Sequence, residues 1–207
     1  MKPIIKYFPT ILFVFSAFTC TSAWANHPAE VLVKDTITST LARLEKDDEL
    51  IKKNPNHIYD LIEELILPKF DFEQMASWAL GKYNRTATKT QKEKFTVEFR
   101  QLLVRTYSKA LIEAKGRVVN YQPIRTSTKN KDEVEVRTEV EQGSALPLPI
   151  NYKLHLKGKD WKVYDVTIDN ISIVSNYRNT FAKEIRQDGI DKLIARLAAR
   201  NTESKNE

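Results

Sequence analysis

The spacing of the apolar residues changes at Gly116, and this change restricts the possible folds more than any other feature of the sequence. Before Gly116, apolar side chains recur every three or four residues, most clearly at Phe95, Phe99, Leu103 and Tyr107, as on one face of a helix. After Gly116 they recur at every second residue, which is the period of a strand with one buried face. The sequence therefore predicts an α+β protein in which helices precede an antiparallel sheet.

Capping residues and prolines locate the N-terminal helices. A capping box at Thr88–Gln91 begins the long helix, and Asp71 and Gly81 delimit a shorter helix before it. Further upstream, Pro28 is suited to the first turn of a helix. Another helix is predicted from His57 to Leu67.

Four strands are predicted after the long helix. They cover residues 117–125, 133–142 and 150–157 and a last segment from Trp161, and their short connections make an antiparallel meander. The helical period returns at Ser175, which predicts two C-terminal helices. A twisted sheet of this kind wraps around the long helix, and the resulting cone is a natural ligand pocket.

Residues 1–25 have the pattern of a secretory signal peptide. Two lysines precede the apolar run Thr10–Phe18, and small residues predict cleavage between Ala25 and Asn26. The apolar run is far shorter than the roughly 20 residues needed to span a bilayer, which disfavours an uncleaved anchor. The protein is therefore expected to be exported.

The segment that remains after cleavage, residues 26–201 with a polar tail at 202–207, is predicted to form one domain. It contains no cysteine, since Cys20 is the only one in the chain, and this excludes a disulfide scaffold or a thiol nucleophile. The whole-chain charge of +6 becomes +4 when the two signal lysines are removed. Such a small excess argues against nucleic acid and leaves anionic lipid surfaces or acidic proteins as partners.

No group of residues has the spacing of a catalytic or metal site. His27, His57 and His155 lie on separate predicted elements and are interpreted as solvated. The carboxylates of Asp47–Glu49 are assigned to a solvated charged face, and no cluster has the spacing of metal ligands. The sequence predicts a protein that is not an enzyme and uses no cofactor.

Asp165 is the strongest candidate for a catalytic base, because an aspartate in an apolar pocket could act in an isomerase-type site. Strand alternation places it opposite Tyr164, Val166 and Ile168, which favours solvent or a hydrogen bond to a loop. An enzyme is therefore the weakest of the hypotheses that the sequence supports.

Three segments carry motifs that point to one family. They are Pro68–Gly81, Gln91–Leu111 and Trp161–Phe181, the last with Trp161-Lys162-Val163-Tyr164-Asp165-Val166 and Asn176-Tyr177-Arg178. These motifs resemble the MlaC family of periplasmic phospholipid carriers, also called toluene-tolerance auxiliary proteins. The chain departs from the family pattern at Asn84, commonly an aromatic residue, and at Asn170, commonly a glycine. Because asparagine tolerates left-handed backbone, the turn at Asn170 is expected to persist.

The resemblance implies a carrier that moves glycerophospholipid through the periplasm between the outer membrane and an inner-membrane ABC transporter. It would maintain the lipid asymmetry of the outer membrane, with a bound phospholipid as cargo and no other cofactor. Its implied partners are an outer-membrane lipoprotein–porin complex and the periplasmic subunit of the transporter. The alternative function is a periplasmic chaperone or binder of another hydrophobic cargo.

A carrier of this kind needs a dry interior. Burying one methylene group is worth about 0.8 kcal/mol, so exposing two acyl chains to water costs on the order of 25 kcal/mol. Arg178 is expected near the mouth, where it would pair with a carboxylate or meet a phosphate. For each residue of the expected lining the alternative is ordinary core packing. The expected lining is Tyr152, Leu154, Val166, Ile168, Ile171, Ile173 and Val174 from the sheet, with Met75, Phe99, Leu103, Tyr107, Tyr177 and Phe181 from helices.

Overall fold

The computed structural model describes residues 27–203, so the predicted signal peptide, its cleavage site at Ala25–Asn26 and residues 204–207 lie outside it. The α-helices are Pro28–Lys46 (α1), Asp48–Lys53 (α2), His57–Leu61 (α3), Phe72–Leu80 (α4), Lys89–Glu113 (α5), Ile173–Asp188 (α6) and Ile190–Glu203 (α7). The strands are Val119–Thr126 (β1), Glu133–Gln142 (β2), Ala145–Lys157 (β3), Asp160–Ile168 (β4) and Ile171–Ser172 (β5). The predicted α+β class, with helices before and after an antiparallel sheet, is confirmed.

The local signals that delimit α4 and α5 act as predicted. The Thr88 hydroxyl accepts a hydrogen bond from Gln91 N–H at 3.2 Å, and the Gln91 amide oxygen accepts one from Thr88 N–H at 2.9 Å. This capping box begins a helix of 25 residues. Asp71 accepts a hydrogen bond from Gln74 N–H at 3.1 Å and thereby caps α4. Gly81 ends α4 with a positive φ of 55°.

The segment between α1 and α4 differs from the prediction. The single helix predicted from His57 to Leu67 is α3, a π-helical turn at Ile62–Ile66 and a 3₁₀ turn at Leu67–Lys69. Helix α2 was not predicted at all. Pro68 belongs to the 3₁₀ turn, because proline fits the first turn of a helix but cannot continue an α-helix.

The sheet is a meander in the order β1-β2-β3-β4-β5, with every neighbouring pair antiparallel. It has a fifth strand of two residues in addition to the four predicted, and β3 begins at Ala145 rather than at residue 150. Asp169 and Asn170 connect β4 to β5 with φ angles of 48° and 63°. Asn170 therefore adopts the left-handed backbone expected of it.

Helix α6 begins two residues earlier than the predicted Ser175. The Ser172 hydroxyl accepts a hydrogen bond from Ser175 N–H at 3.1 Å and caps the helix. Ile173 and Val174 were assigned to the sheet from the sequence, and this assignment was wrong because they form the first turn of α6. Helix α7 continues through Glu203, into the predicted polar tail.

A β-bulge in β4 changes which side chains face the helices. Leu154 pairs with Val163 and Lys153 pairs with Asp165, so two residues of β4 oppose one residue of β3. Val163 and Val166 consequently both join the main apolar core, although they are three residues apart. The predicted alternation, with Asp165 opposite Tyr164, was wrong because the bulge interrupts it.

The apolar residues form two clusters. The main cluster joins the inner face of the sheet to α1 and α4–α7. The second lies where α1–α3 and the π turn meet the C-terminal half of α5, with Leu44, Ile58 and Leu61 at its centre. Among residues 27–203, no helix has the length and apolarity that crossing a bilayer requires.

Candidate functional site

The residues of the expected lining converge on one region. All of them except Ile171 belong to the main apolar cluster between the sheet and the helices. Tyr107, Tyr152, Ile168 and Tyr177 are half-buried. The fully buried members are Met75, Phe99, Leu103, Leu154, Val166, Ile173, Val174 and Phe181.

Ile171 does not lie in this interior. It sits in the short strand β5 with 60% of its side-chain surface exposed, so it cannot line an enclosed wall. The sequence suggested otherwise because an apolar residue in a strand of alternating polarity normally faces the core.

Aromatic rings in stacked and edge-to-face pairs fill the helical side of the interior. Phe99 lies 5.6 Å from Phe95, 5.7 Å from Phe181 and 5.3 Å from Tyr177, between ring centroids. Edge-to-face and offset pairs at these distances add to the stability that burial provides. Phe95 is fully buried and was missed in the expected lining, although its spacing from Phe99 places both on one helix face.

The sheet contributes further residues that the sequence analysis did not assign to the site. Val134, Val136 and Thr138 of β2 are all at most 3% exposed and lie on the face shared with Leu154. Thr138 satisfies its hydroxyl by donating to the Ile150 carbonyl at 2.7 Å. The alternation of β2 marks this face, so the signal was present in the sequence.

The inner face of the sheet becomes more exposed toward one end. On β3, Leu154 is fully buried, Tyr152 and Ile150 are half-buried, and the strand then reaches the exposed hairpin at Gly143. On β4, Val163 and Val166 are buried, whereas Ile168 is half-buried. We call this the open end of the sheet: residues 118–120 at the start of β1, the β2–β3 hairpin at 140–149 and the β4–β5 turn at 168–171.

Tyrosine hydroxyls are the main polar groups of the half-buried part. Burial raises the pKa of Tyr152 to about 12, and the neighbouring Tyr121 contributes to the shift. Burial, together with Tyr177, also raises the pKa of Tyr107. These phenols are therefore neutral at physiological pH, and they can donate hydrogen bonds without placing a charge in the apolar interior.

Asp165 is buried, with 2% of its surface exposed, and each oxygen of its carboxylate has a hydrogen-bond donor. It accepts hydrogen bonds from the Ser172 hydroxyl at 2.7 Å and from Val174 N–H at 3.2 Å, and Lys153 lies 3.7 Å away. Of the two environments that the sequence left open, the structure shows the hydrogen bond to a loop. The carboxylate holds the start of α6 against β4.

The interpretation of the histidines as solvated was wrong. His155 lies 3.0 Å from Asp71 and His57 lies 2.9 Å from Asp47, and both partner carboxylates are about 95% buried. Asp47 was assigned to a solvated face, but Arg43 and His57 enclose it. His27 accepts a hydrogen bond from Ala29 N–H at 3.2 Å and so caps α1. Each histidine therefore has a structural partner.

Arg178 packs its aliphatic stem against Gly81, where an added Cβ would lie 3.1 Å from the arginine side chain. Within the described part of the chain, no carboxylate lies at ion-pair distance from Arg178. The Asn84 amide donates to the Ser77 hydroxyl at 2.8 Å, so this residue has a hydrogen-bonded role within the fold.

The interior is closely packed. Phe95, Phe99, Val136 and Leu154 have no exposed surface, so side chains from the sheet and the helices fill the space between the two layers.

Two surface pockets lie outside this region. One of about 220 Å³ lies on the outer face of the sheet beside Tyr164, and one of about 330 Å³ lies between the π turn, α5 and α7 beside Tyr59. Among residues 27–203, no three His, Cys, Asp or Glu side chains are grouped as metal ligands.

Comparison with known proteins gives consistent matches. The family described as "MlaC protein" matches residues 34–199. Toluene tolerance protein ttg2D of Pseudomonas putida is 28% identical over 187 residues, which are 89% of this chain and 86% of that protein. The intermembrane phospholipid transport system binding protein MlaC of Haemophilus influenzae is 24% identical over 196 residues, covering 93% of this chain and 91% of the relative.

A solved structure is also similar. It is the phospholipid-binding protein from Ralstonia solanacearum in complex with a phospholipid, with a TM-score of 0.77 and 29% sequence identity. The similarity covers 86% of this chain and 98% of that one.

Proposed function

The chain belongs to the MlaC family, and on that premise we propose that it carries glycerophospholipid through the periplasm between the outer membrane and an inner-membrane ABC transporter. The acyl chains lie between the inner face of the sheet and helices α4–α6. The head group stays at the open end, where water can solvate it. The phospholipid is cargo, and the protein performs no chemistry on it.

One observation carries this proposal: a contiguous apolar interior becomes progressively exposed at one end of the sheet. An acyl chain is uniform and apolar, so it needs continuous contact with apolar side chains rather than a few fixed polar partners. The similar structure from Ralstonia solanacearum, which is a complex with a phospholipid, supports this assignment of the cargo.

Lipid entry requires the sheet and the helices to move apart. The stacked rings of Phe95, Phe99, Tyr177 and Phe181 occupy space that acyl chains would need. When the interior opens, the rings lose contacts with one another and gain contacts with the methylene groups of the lipid. Both kinds of contact are apolar, so no polar group has to be buried. The β2–β3–β4 part of the sheet is tied along its whole length by backbone pairing and moves as a unit.

The proposed partners follow from the same premise. An outer-membrane lipoprotein–porin complex and the periplasmic subunit of the ABC transporter exchange lipid with the carrier in turn, which maintains the asymmetry of the outer membrane. The export signal predicted at residues 1–25 supports the periplasmic location.

Ligand extraction tests the proposal. The protein is purified from the periplasm of a Gram-negative host, and its organic extract is analysed by mass spectrometry. We expect about one glycerophospholipid per protein. After delipidation, the protein should take up phospholipid again from vesicles. A different apolar molecule in the extract would favour the chaperone or binder of another cargo, and protein without lipid before and after incubation with vesicles would exclude a phospholipid carrier.

A matched pair of variants tests the position of the lipid. Ile168→Glu places a carboxylate at the half-buried part of the inner face, where it would be desolvated beside the acyl chains. Leu50→Glu makes the same change at a side chain of α2 that is 54% exposed. We expect Ile168→Glu to lower lipid retention at least tenfold and Leu50→Glu to leave it unchanged, with folding checked by circular dichroism. Equal retention by both folded variants would move the lipid away from the inner face.

A further inference from the structure

Exposed aliphatic side chains are concentrated at the open end of the sheet. Leu146 is 88% exposed, Ile171 60% and Val118 53%, and only Leu50 of α2 is comparable among the large apolar side chains of residues 27–203. A single exposed apolar residue needs no explanation, but three at the same end of one sheet, spread from the start of β1 to β5, suggest a common role.

Backbone hydrogen bonds hold these three segments together. Glu141 N–H of the hairpin donates to the Val118 carbonyl at 3.0 Å, and Asp169 N–H of the β4–β5 turn donates to the Pro149 carbonyl at 3.0 Å. Val118, Leu146 and Ile171 therefore belong to one end of one sheet. We call them the aliphatic rim.

The rim is held on regular structure. Leu146 lies in β3 beside a register shift between Val140 and Gln142, where the pairing with β2 continues to the hairpin. Pro147 and Pro149, which flank Leu148, restrict the backbone further. Because the backbone of this hairpin is already ordered, little conformational entropy is lost when another surface buries its side chains.

The rim is continuous with the apolar interior. Val140, Leu148 and Ile168 are half-buried on the same end of the sheet, and Ile168 pairs directly with Ile171. An acyl chain leaving the interior here would pass from buried to half-buried to exposed aliphatic side chains. Without a second apolar medium at the rim, its methylene groups would enter water.

Charge around the rim does not favour electrostatic docking. The open end contains two ionisable side chains, Glu141 and Asp169, and Arg117 and Glu139 lie immediately next to it in the sequence. One cation and three carboxylates give no attraction to anionic head groups, so the rim must act through its aliphatic surface.

We propose that the aliphatic rim inserts into the surface of a lipid bilayer during transfer, so that acyl chains pass between the interior and the membrane without crossing water. This inference rests on the proposed function and adds a membrane contact to it. The rim consists of only three aliphatic side chains, which suits weak and reversible insertion at the head-group boundary. A carrier must leave each membrane, so a weak contact serves it better than a strong one.

Transfer kinetics test the contact. The protein is loaded with a fluorescent phosphatidylethanolamine and mixed with protein-free vesicles of phosphatidylethanolamine and phosphatidylglycerol at a ratio of 3:1. If the rim contacts the bilayer, the initial transfer rate rises in proportion to vesicle concentration and changes less than twofold between 50 and 500 mM salt. A rate independent of vesicle concentration would mean release through water, and no transfer to protein-free vesicles would mean that the rim meets a protein opening. Either result overturns the proposal.

Matched variants distinguish an effect of the rim on lipid transfer from an effect on lipid binding. Val118→Ser/Leu146→Ser removes two rim side chains, and Leu50→Ser removes one of similar exposure on α2. We expect the double variant to carry as much lipid as the parent and to transfer it about tenfold more slowly, with Leu50→Ser unchanged. Equal rates for the parent and the double variant would overturn the proposal. If the parent itself retains no lipid, the proposed carrier function has failed, and the rim proposal with it.

Discussion

At the scale of single residues, Asp165 best illustrates how the structure assigns a role that the sequence left open. An aspartate beside an apolar interior has the composition of an acid–base site, yet its oxygens bind Ser172 and Val174 and approach Lys153. Each oxygen has a donor within the protein, and only 2% of the residue is exposed, so the carboxylate has a structural role in this conformation. The carboxylate fastens the capped start of α6 to the bulge in β4.

Replacing this carboxylate tests the assignment. Asp165→Ala leaves the Val174 N–H and the Ser172 hydroxyl without their acceptor in a buried site, so we expect the free energy of unfolding to fall by about 2–3 kcal/mol. Urea denaturation followed by circular dichroism measures the change. Asp169→Asn, at an exposed turn position that tolerates asparagine, is the control and should shift it by less than about 0.5 kcal/mol. A loss for Asp165→Ala no larger than the control's would refute the structural role.

Two histidines also have roles that depend on contacts in the folded structure. His57 and His155 each contact an aspartate that is about 95% buried, and the partners are 10 and 84 residues apart on separate elements. A sequence pattern shows the polarity of a strand or helix face but not what covers that face. Ion pairs between separate elements therefore cannot be predicted from the polarity pattern of either element.

At the scale of elements, α5 is the part of the protein whose limits the sequence determines best. Its capping box and its stripe of aromatic and leucine side chains could be predicted because each depends on residues at most four apart, and the helix ends at Glu113, three residues before Gly116. The box satisfies backbone groups that would otherwise lack partners at the first turn. Gln91 also donates to Asp191 of α7, which joins the start of α5 to the C-terminal helix.

The contribution of the cap can be measured directly. Thr88→Ala removes the hydroxyl that accepts from Gln91 N–H, and we expect a loss of about 1 kcal/mol in the free energy of unfolding. Thr88→Ser retains the hydroxyl and should recover most of this loss. Thr90→Ala, two residues further along the helix at an exposed position, serves as the matched control and should be neutral or slightly stabilising. Equal effects of the two alanine substitutions would argue that the box contributes nothing.

Strand β4 shows where reasoning from local pattern fails. Its sequence alternates well enough to predict a strand, but the bulge opposite Lys153 brings Val163 and Val166 to the same face. A bulge depends on how β4 pairs with β3 and on what lies beyond its edge. There, Asp71 N–H donates to the Val163 carbonyl at 2.8 Å and covers that edge. None of these contacts is local in sequence.

At the scale of the whole molecule, three carboxylates connect separate elements: one joins two N-terminal helices, and the other two join α2 and α4 to the rest of the fold. Asp47 joins α1 to His57 of α3, Asp48 pairs with Lys115 beyond the end of α5, and Asp71 contacts His155 and Lys157 of β3. Hydrogen bonds from His57 and Arg43 lower the pKa of Asp47, and those from Lys115 and Lys52 lower the pKa of Asp48.

Asp71 is held in its charged form against the effect of burial. Burial alone would raise the pKa of Asp71, but hydrogen bonds from Gln74 N–H, Lys157 and His155 outweigh it and leave the pKa below its ordinary value. A carboxyl group with a lowered pKa in the folded state stabilises the protein fully above its unfolded pKa of about 3.9. That stabilisation is lost as the pH falls through the lower, folded value.

We therefore expect the free energy of unfolding to decline steeply below about pH 4, as protonation breaks the three contacts together. Urea titrations between pH 2 and pH 7 measure the decline. Asp71→Asn should be less stable than the parent at pH 7 and should lose less stability on acidification, because one coupled proton is removed. Asp160→Asn, at the exposed first residue of β4, should follow the parent curve. Parallel curves for Asp71→Asn and the parent would contradict the linkage.

Taken by itself, the sequence determined the α+β class, the limits of α5, the meander of the sheet and the apolar residues available to an interior, because these depend on periodicity and on caps within one turn. Its motifs also indicated the family. Only the tertiary structure decided that Ile173 and Val174 begin a helix, that the bulge turns Val163 and Val166 the same way, and that Ile171 joins an exposed rim rather than a wall. The physical reason is that a side chain's polarity is a local property, whereas what covers that side chain depends on segments that meet only when the chain has folded.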